Sequence, residues 1–389
     1  MNRTTLPLIV LAQFCCTSVW FAGNAVLTEL VATFGLPTTA LGGLTSAVQF
    51  GFICGTLVFA VLAVADRFSP SRVFCASALA AALCNLCGTL EANTFVTLLG
   101  GRFLTGFFLA GIYPVGMKIA SDYFQKGLGR SRGFLVGALV LGTAFPHLVK
   151  SLGGALPWRV ILYCTSTFAA VGGLLVLFFV PDGPFRKVGS QPKFTAFFRV
   201  FRNEPFRAAA FGYFGHMWEL YAFWAFVPVW LAAYFAGQTV PVSISLLAFC
   251  VIAVGGLACV LGGYLSERFG VRRVAAFALG ASGLCCLFSP LAFAFPPVLL
   301  LLFLLFWGMV VVADSPLFST LVAGSAEAEV KGTALTIVNC IGFAVTIVSL
   351  QLLSGAEEWL DVKWLFVLLL PGPVFGLVGL FFGANAGAK

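Results

Sequence analysis

Long apolar segments alternate with short polar segments along the whole chain. Dividing the sequence at its polar breaks gives about twelve apolar stretches, each near the ~20 residues that a membrane-spanning helix needs. The stretches begin near residues 6, 39, 73, 95, 133, 160, 208, 241, 274, 298, 332 and 364. This pattern predicts an all-α membrane protein with about twelve transmembrane helices in two pseudo-symmetric six-helix bundles.

A short charged motif occurs twice, about half a chain length apart. We name the two copies the first acid-Arg-Phe loop (residues 66–72, DRFSPSR) and the second acid-Arg-Phe loop (residues 263–273, GYLSERFGVRR). Other residues recur at a similar separation in the two halves of the sequence, such as Gly106 and Gly308. The duplication predicts an N-terminal bundle at 1–180 and a C-terminal bundle at 208–389.

The segment 181–207 is the longest polar stretch and is predicted to be a cytoplasmic linker. Its phenylalanines recur at i, i+3, i+4 and i+7, with basic residues between them. This spacing predicts an amphipathic helix at the membrane surface. The phenylalanines concerned are Phe194, Phe197, Phe198 and Phe201.

The composition makes the lipid bilayer the expected solvent for most of the surface. Hydrophobic residues are 60% of the chain and charged residues 9%, whereas soluble domains have roughly a quarter charged residues. The net charge of +8 is spread over alternate loops instead of one patch, so we expect no nucleic-acid partner. Alternating basic loops indicate that both termini are cytoplasmic. We place the protein in the inner (plasma) membrane of a bacterium.

Enzyme classes and metal sites find no support in the sequence. The 12 cysteines fall almost entirely within predicted helices, where Cys behaves as a small hydrophobic residue. No His stands at ligand spacing from them, and no H-E-x-x-H, G-x-S-x-G or Gly-rich phosphate loop is present. We therefore expect no enzyme, cofactor or metal. A non-transporting sensor or scaffold is an alternative class, which would usually carry a soluble domain.

The chain resembles the major facilitator superfamily over essentially its whole length. The second acid-Arg-Phe loop is similar to the signature that this family carries between helices two and three and between helices eight and nine. Residues 102–106 (RFLTG) resemble its helix-four motif. The resemblance implies a monomeric secondary transporter that moves a small-molecule substrate by rocking its two halves around a central site.

Ionisable residues within predicted spanning helices are functional candidates, and three of them lie on helices seven and ten. Glu219 lies about twelve residues into helix seven, and His216 shares its face three residues earlier. Asp314 lies on helix ten beside Ser315-Pro316. We predict that His216, Glu219 and Asp314 couple transport to protons. The alternatives are a static buried pair on helix seven and a cap on a broken helix ten.

Several polar and aromatic residues are candidates to line a substrate cavity. Helix one carries a polar-aromatic stripe, and helices four, ten and eleven contribute further side chains. The stripe could instead make hydrogen bonds between helices. The predicted substrate-binding residues are Thr17, Trp20, Asn24, Arg102, Tyr113, Trp307 and Asn339.

Arg102 on helix four leaves three roles open. It could bind an anionic substrate bidentately, serve proton coupling as the resemblance implies, or form an internal salt bridge. With His147 and Lys150 on helix five, it favours an organic or inorganic anion as substrate. Gly142 and Pro146 partly resemble the helix-five motif of drug/proton antiporters, so export of lipophilic compounds is the alternative.

The acid-Arg-Phe loops are predicted to form a cytoplasmic gate. Ion pairs between their acids and arginines would close the inner mouth in one state and separate in the other. The predicted gate residues are Asp66, Arg67, Arg72, Glu267, Arg268, Arg272 and Arg273.

Overall fold

The computed structural model describes residues 4–124, 128–154, 156–186, 197–237, 242–327 and 330–382, and these residues form helices and no strands. The helices of the first half are α1 (Thr5–Thr17), α2 (Ala22–Ala25), α3 (Leu27–Phe34), α4 (Ala40–Val61), α5 (Val64–Arg67), α6 (Pro70–Cys87), α7 (Phe95–Leu109), α8 (Tyr113–Tyr123), α9 (Leu128–Gly153) and α10 (Arg159–Phe179). The remaining helices are α11 (Phe197–Arg202), α12 (Glu204–Tyr234), α13 (Ile244–Phe269), α14 (Val271–Ala292), α15 (Pro297–Ala313), α16 (Ser315–Ser325), α17 (Lys331–Ala356), a 3₁₀ helix (Val362–Leu369) and α18 (Pro371–Phe382).

The predicted fold class is confirmed. Within the described residues, ten helical segments are long and apolar enough to cross a membrane. The broken segment α1–α3 and the 31-residue helix α12 occupy the positions of the other two predicted spans. The division at 1–180, 181–207 and 208–389 remains a prediction.

Several spans are broken rather than continuous. α7 ends at Leu109 and α8 begins at Tyr113, while α15 and α16 are separated at Asp314. A proline occupies the first turn of both α8 and α16, where its missing N–H breaks no helical hydrogen bond. Gly111 lets the turn between α7 and α8 pack closely on α6, since a Cβ there would lie 2.0 Å from Ser77 Oγ.

Helix breaks change which residues share a face. α1 ends at Thr17, so Trp20 lies between helices and Asn24 lies in α2. The stripe predicted for helix one assumed one continuous helix, and that assumption is wrong. For the same reason Arg102 on α7 and Tyr113 on α8 do not share a helical face.

The duplication is visible in how matching helices pack. A Cβ added to Gly106 on α7 would lie 1.9 Å from the carbonyl oxygen of Val48 on α4. A Cβ added to Gly308 on α15 would lie 1.9 Å from the carbonyl oxygen of Val251 on α13. Small residues permit such close backbone approach in membrane bundles. The repeated glycines therefore hold equivalent helix pairs together in the two halves.

The two halves meet along two helix pairs, α4 with α17 and α9 with α13. We call the end that carries both acid-Arg-Phe loops the motif end. At the opposite end, polar side chains bridge the halves: Gln351 Nε2 donates to Ser46 Oγ at 2.8 Å, and Thr38 Oγ1 donates to Glu358 Oε1 at 3.0 Å. At the motif end, α4 and α17 instead flank a vestibule of about 440 Å³. This state is open at the motif end and closed at the other.

The predicted amphipathic helix lies only partly within the described residues. Phe194 falls outside them, and the side chains of Phe197 and Phe198 are not described. α11 begins at Phe197, and Phe201 packs edge-on against Phe206 with ring centroids 5.4 Å apart. Binding of this helix to the membrane surface stays a prediction.

Candidate functional site

A central cavity of about 210 Å³ lies between the two halves, beyond the vestibule. Both spaces share lining residues on α4, α8, α9 and α17, including Thr56, Pro114 and Arg132. The two spaces are therefore continuous from the motif end to the middle of the molecule. Because both bundles contribute to its walls, the central cavity is the candidate substrate site.

Arg132 is the charged residue in the wall of the central cavity. It lies near the start of α9, where the two spaces meet, and has no ion-pair partner among the described residues. The described wall of the central cavity contains no Asp or Glu. The cavity consequently has a positive charge that the residues around it do not neutralise.

Hydrogen-bond donors occupy other parts of the same wall. Tyr213 donates its hydroxyl to Asn339 Oδ1 at 2.7 Å, which leaves the amide N–H₂ of Asn339 as the group available to a ligand. Trp224 lines the cavity, and its buried indole N–H has no partner among the described residues. Because Trp224 is 0% exposed, the donors that a ligand meets in this state are those of Arg132 and Asn339, which favour a ligand that accepts hydrogen bonds.

Aromatic rings close the cavity at the end away from the vestibule. Trp20 of the N-terminal half stacks on Tyr221 and Phe343 of the C-terminal half, with centroids 5.7 and 5.8 Å apart. Phe52 on α4 also packs against Phe343 at 4.5 Å. These rings form an inter-half contact that must separate before the cavity can open at the opposite end.

The seven predicted substrate-binding residues separate into distinct locations. Tyr113 and Asn339 line the central cavity, and Trp20 contacts its aromatic wall. Thr17 is buried against α9 and donates to the carbonyl of Gln13, while Asn24 donates to Thr45 Oγ1 at 2.8 Å. In this state Asn24 thus joins α2 to α4, whereas Thr17 packs against Gly142 of α9 and makes its hydrogen bond within α1.

Arg102 is buried away from the central cavity. Its guanidinium donates to the carbonyl oxygen of Val19 at 3.0 Å and to that of Trp20. These carbonyls lie where α1 has ended, so they lack helical partners. In this state the side chain therefore bridges α7 to the break in the first span. The three roles considered for Arg102 remain predictions.

Glu219 is enclosed within the C-terminal half. Its Oε1 accepts hydrogen bonds from Trp307 Nε1 at 2.7 Å, from Ser282 and from the thiol of Cys286. The donors come from α14 and α15, and the carboxylate is 1% exposed. Trp307 therefore contacts the predicted coupling carboxylate rather than the central cavity.

His216 pairs with Asp314 instead of with Glu219. The two atoms His216 Nδ1 and Asp314 Oδ1 lie 2.8 Å apart, and both side chains are 1% exposed. Met217 follows His216, Tyr213 precedes it by three residues, and Ser315 follows Asp314; all three line the central cavity. The pair lies directly behind the cavity wall, at the break between α15 and α16.

The first acid-Arg-Phe loop is fixed by contacts within its own half. Asp66 pairs with Lys118 on α8 at 3.1 Å. The start of the linker also docks here, since Arg186 donates to the carbonyl of Phe68 at 2.8 Å and Ser69 donates to Asp182 at 2.7 Å. Asp66 and Lys118 both line the vestibule, so this pair faces the open mouth.

The other predicted gate residues make no inter-half ion pair within the described residues. Arg272 donates to the carbonyl of Leu380 and lies over the ring of Phe381, which ties α14 to α18. The remaining gate residues are exposed side chains at the motif end: Arg67, Arg72, Glu267, Arg268 and Arg273. Such exposure accompanies a mouth that is open in this state.

A family model of the Major Facilitator Superfamily matches residues 9–350. The chain belongs to this superfamily. It is similar to the nitrate/nitrite transporter NrtP of Nostoc punctiforme (29% identity over 165 residues, 40% of this chain and 33% of that protein). It is also similar to the probable nitrate/nitrite antiporter NarK1 of Thermus thermophilus (27% identity over 301 residues, 71% of this chain and 63% of that protein). The chain thus spans less than two thirds of each relative.

A solved structure supports the fold of this superfamily member. The human organic anion transporter MFSD10 (TETRAN) aligns with a TM-score of 0.74 at 15% identity, covering 97% of this chain and 99% of that one. At this identity the match establishes the architecture alone. It agrees with a multi-pass membrane transporter built from two helical bundles.

Sequence reasoning missed the residues that dominate the cavity of this superfamily transporter. The sequence pattern does not single out Arg132, which stands among other basic residues before a predicted helix. A usable signal was the stripe Tyr213, Met217, Tyr221 and Trp224, at i, i+4, i+8 and i+11 on α12, which lines the cavity. His147 and Lys150 contributed to the anion hypothesis without lining the cavity, and Lys150 pairs with Glu29 at 2.8 Å.

Proposed function

We propose that this transporter is a proton-coupled secondary carrier of a small organic anion that works by alternating access. The observation that carries the proposal is the unpaired Arg132 in the wall of the central cavity. An ionised group away from bulk water is costly without a partner. A bound anion would supply the missing counter-charge as the cavity closes around it.

The composition of the cavity supports an anion over a cation. The donors of Arg132, Trp224 and Asn339 suit a ligand that accepts hydrogen bonds, and a cation would find no carboxylate in the described wall. The similar proteins named above as nitrate/nitrite transporters also support an anionic substrate. The aromatic wall keeps a second candidate open, namely export of lipophilic compounds.

The size of the cavity favours an organic anion over a small inorganic one. Its volume of about 210 Å³ is more than ten times the ~15 Å³ that a single water molecule requires. A small inorganic oxyanion would leave much of this space to water. An organic anion could occupy the aromatic wall as well as the position beside Arg132.

Two buried carboxylates could couple this movement to protons. The His216–Asp314 pair lies beside the cavity-lining Met217 and Ser315, and Glu219 lies beside the cavity-lining Leu220. The Oε1 atom of Glu219 is already held by three donors, which stabilise its ionised form, whereas among the described residues no third side chain donates to the pair. We therefore propose His216 and Asp314 as the primary coupling site and Glu219 as the second.

The two ends of the molecule would open in turn. The stacking of Trp20 on Tyr221 and Phe343 closes one end in this state. In the opposite state these rings would separate, and the motif end would close. Asp66 and Glu267 would then approach basic residues of the neighbouring half and act as the gate.

We propose that the motif end faces the cytoplasm of a bacterial cell, because basic loops favour that side. The protein would function as a monomer with both termini inside. In a cysteine-free background, Glu358→Cys should react with an impermeant reagent added outside cells, and Phe185→Cys should not. Both side chains are exposed at opposite ends of the bundle. The reverse labelling pattern would invert this orientation.

Flux in proteoliposomes tests the proposed function. Vesicles with an imposed pH gradient are given labelled organic anions, nitrate or lipophilic cations. We expect accumulation of organic anions that collapses with the gradient. Arg132→Gln should reduce it by about 10- to 100-fold, since a hydrogen bond to a charged group contributes roughly 1.5–3 kcal/mol.

Arg207→Gln is the matched control for this experiment. Arg207 lies at the same end of the bundle, is 37% exposed, and approaches Glu204 at 4.0 Å without lining the cavity. It should transport as the wild type does. Accumulation of lipophilic cations without any anion flux would overturn the proposal.

A further inference from the structure

We infer that the anion bound in the central cavity is a planar aromatic monoanion, such as an aromatic monocarboxylate. This inference rests on the proposed anion transport and specifies its substrate class. It follows from three properties of the cavity: the number of its charges, the position of its rings and the location of its unpaired donors.

The charge of the cavity sets the charge of the ligand. Arg132 is the ionised side chain in the described wall, and its planar guanidinium can hold a carboxylate through two parallel hydrogen bonds. Among the described residues a dianion would leave one charge without a cation, since Lys118 lines the vestibule and is already paired with Asp66. One cation therefore fits one carboxylate.

The rings of the cavity lie away from its cation. Arg132 borders both the vestibule and the central cavity, whereas Tyr221, Trp224 and Phe343 border the central cavity alone. Aromatic faces carry negative electrostatic potential and aromatic edges carry positive potential. The faces would repel a carboxylate and attract the edge of another ring. A ligand would thus place its carboxylate at Arg132 and its ring among these side chains.

The unpaired donors give this orientation a second anchor. The indole N–H of Trp224 is buried without a partner among the described residues, and a buried donor left unpaired is costly. The amide N–H₂ of Asn339 borders the same space. An acceptor on the far side of the ligand ring, or the π face of that ring, could receive a hydrogen from Asn339. Trp224 is 0% exposed in this state, so its N–H would become a second donor only when the wall moves.

Binding of a matched ligand panel to the purified full-length protein tests the inference. The probes are benzoate, cyclohexanecarboxylate, benzamide, phthalate and nitrate, with affinity followed by calorimetry. Benzoate should bind more tightly than cyclohexanecarboxylate by about 2- to 10-fold, the range expected from aromatic pairing beyond area burial. Benzamide, phthalate and nitrate should each bind at least about tenfold more weakly than benzoate. Benzamide has no charge, phthalate has a second negative charge, and nitrate has no aromatic ring.

Variants test which residues bind the carboxylate of the ligand and which bind its ring. Arg132→Gln should weaken benzoate binding by at least about tenfold and leave benzamide unchanged, whereas Arg207→Gln should change neither. Phe343→Leu should remove the preference of benzoate over cyclohexanecarboxylate and retain binding of both. A folded Phe343→Leu protein that keeps the full preference would contradict the assignment of the ring site.

The outcomes separate this inference from the proposed function. Equal affinity for benzoate and cyclohexanecarboxylate, or tighter binding of nitrate, would overturn the aromatic class while anion transport stands. Failure of every anion to bind, together with flux of lipophilic cations, would overturn the proposed function itself.

Discussion

Neutralising one partner of the His216–Asp314 pair should both destabilise the C-terminal bundle and uncouple transport from protons. The paired atoms are 2.8 Å apart and each side chain is 1% exposed. Removing one member of a buried ion pair costs about 3–5 kcal/mol, because the other charge stays buried without a partner. His216→Gln and Asp314→Asn should therefore each lower the free energy of unfolding by about 3 kcal/mol.

The double variant His216→Gln/Asp314→Asn should be more stable than the sum of its parts. It leaves two neutral amides that can still hydrogen-bond, so we expect a coupling energy of about 2 kcal/mol. Thermal unfolding in detergent can be followed with a thiol-reactive dye once the exposed Cys87 and Cys250 are replaced by serine, since Cys16 and Cys286 are buried and react only on opening. The exposed pair Lys363–Asp361 provides the control; Lys363→Gln should cost less than about 1 kcal/mol.

Transport assays separate coupling from stability. Asp314→Asn should lose accumulation driven by a pH gradient and retain exchange of internal for external substrate, because exchange needs no net proton movement. Glu219→Gln keeps an acceptor for Trp307 and should impair accumulation less. Two results would refute the reasoning: wild-type accumulation by Asp314→Asn, or destabilisations of His216→Gln and Asp314→Asn that simply add in the double variant.

Three further predictions follow from other contacts. Gly106→Ala should prevent normal folding or lower the free energy of unfolding by at least about 1–3 kcal/mol, because the added methyl group overpacks against Val48. Thermal melting measures this loss. The control Gly355→Ala, whose methyl group meets nothing within 4 Å, should be neutral or stabilising. Arg102→Gln should lower the melting temperature, because it loses the hydrogen bonds to the Val19 and Trp20 carbonyls. Its affinity for benzoate should stay within about twofold of the wild type. A large loss of affinity in a stable variant would instead indicate that Arg102 binds substrate. Asp66→Asn and Glu267→Gln should slow transport turnover more than they weaken substrate binding. Unchanged turnover in both variants would contradict the proposed gate.

Much of the fold could be predicted because lipid imposes a simple pattern. The approximate starts of the spans and the Gly106–Gly308 repeat follow from apolar length and from close backbone approach, which are local properties. The positions at which the helices break were harder to predict from the sequence. Ser315-Pro316 indicated one break, but nothing comparable marks the end of α1 at Thr17, so the stripe through Trp20 and Asn24 was drawn on a helix that does not continue.

The site could be predicted less well because its partners come from distant parts of the chain. His216, Glu219 and Asp314 were found as buried ionisable residues, yet sequence spacing joined His216 to Glu219 and the fold joins it to Asp314. Arg132 was missed because it stands at a helix end among other basic residues. Only packing of α9 against the opposite half gives that arginine a place in the cavity wall.

The two helix pairs that join the halves are built differently, and this difference determines where reorientation is resisted. Along α9 and α13 the contact includes glycines, and a Cβ on Gly137 would lie 2.9 Å from the carbonyl of Gly256. Backbones in contact have no side chains to disengage, so this pair can serve as a pivot axis. Along α4 and α17, Phe52 interlocks with Phe343. We expect the activation barrier for switching to reside mainly in that second pair.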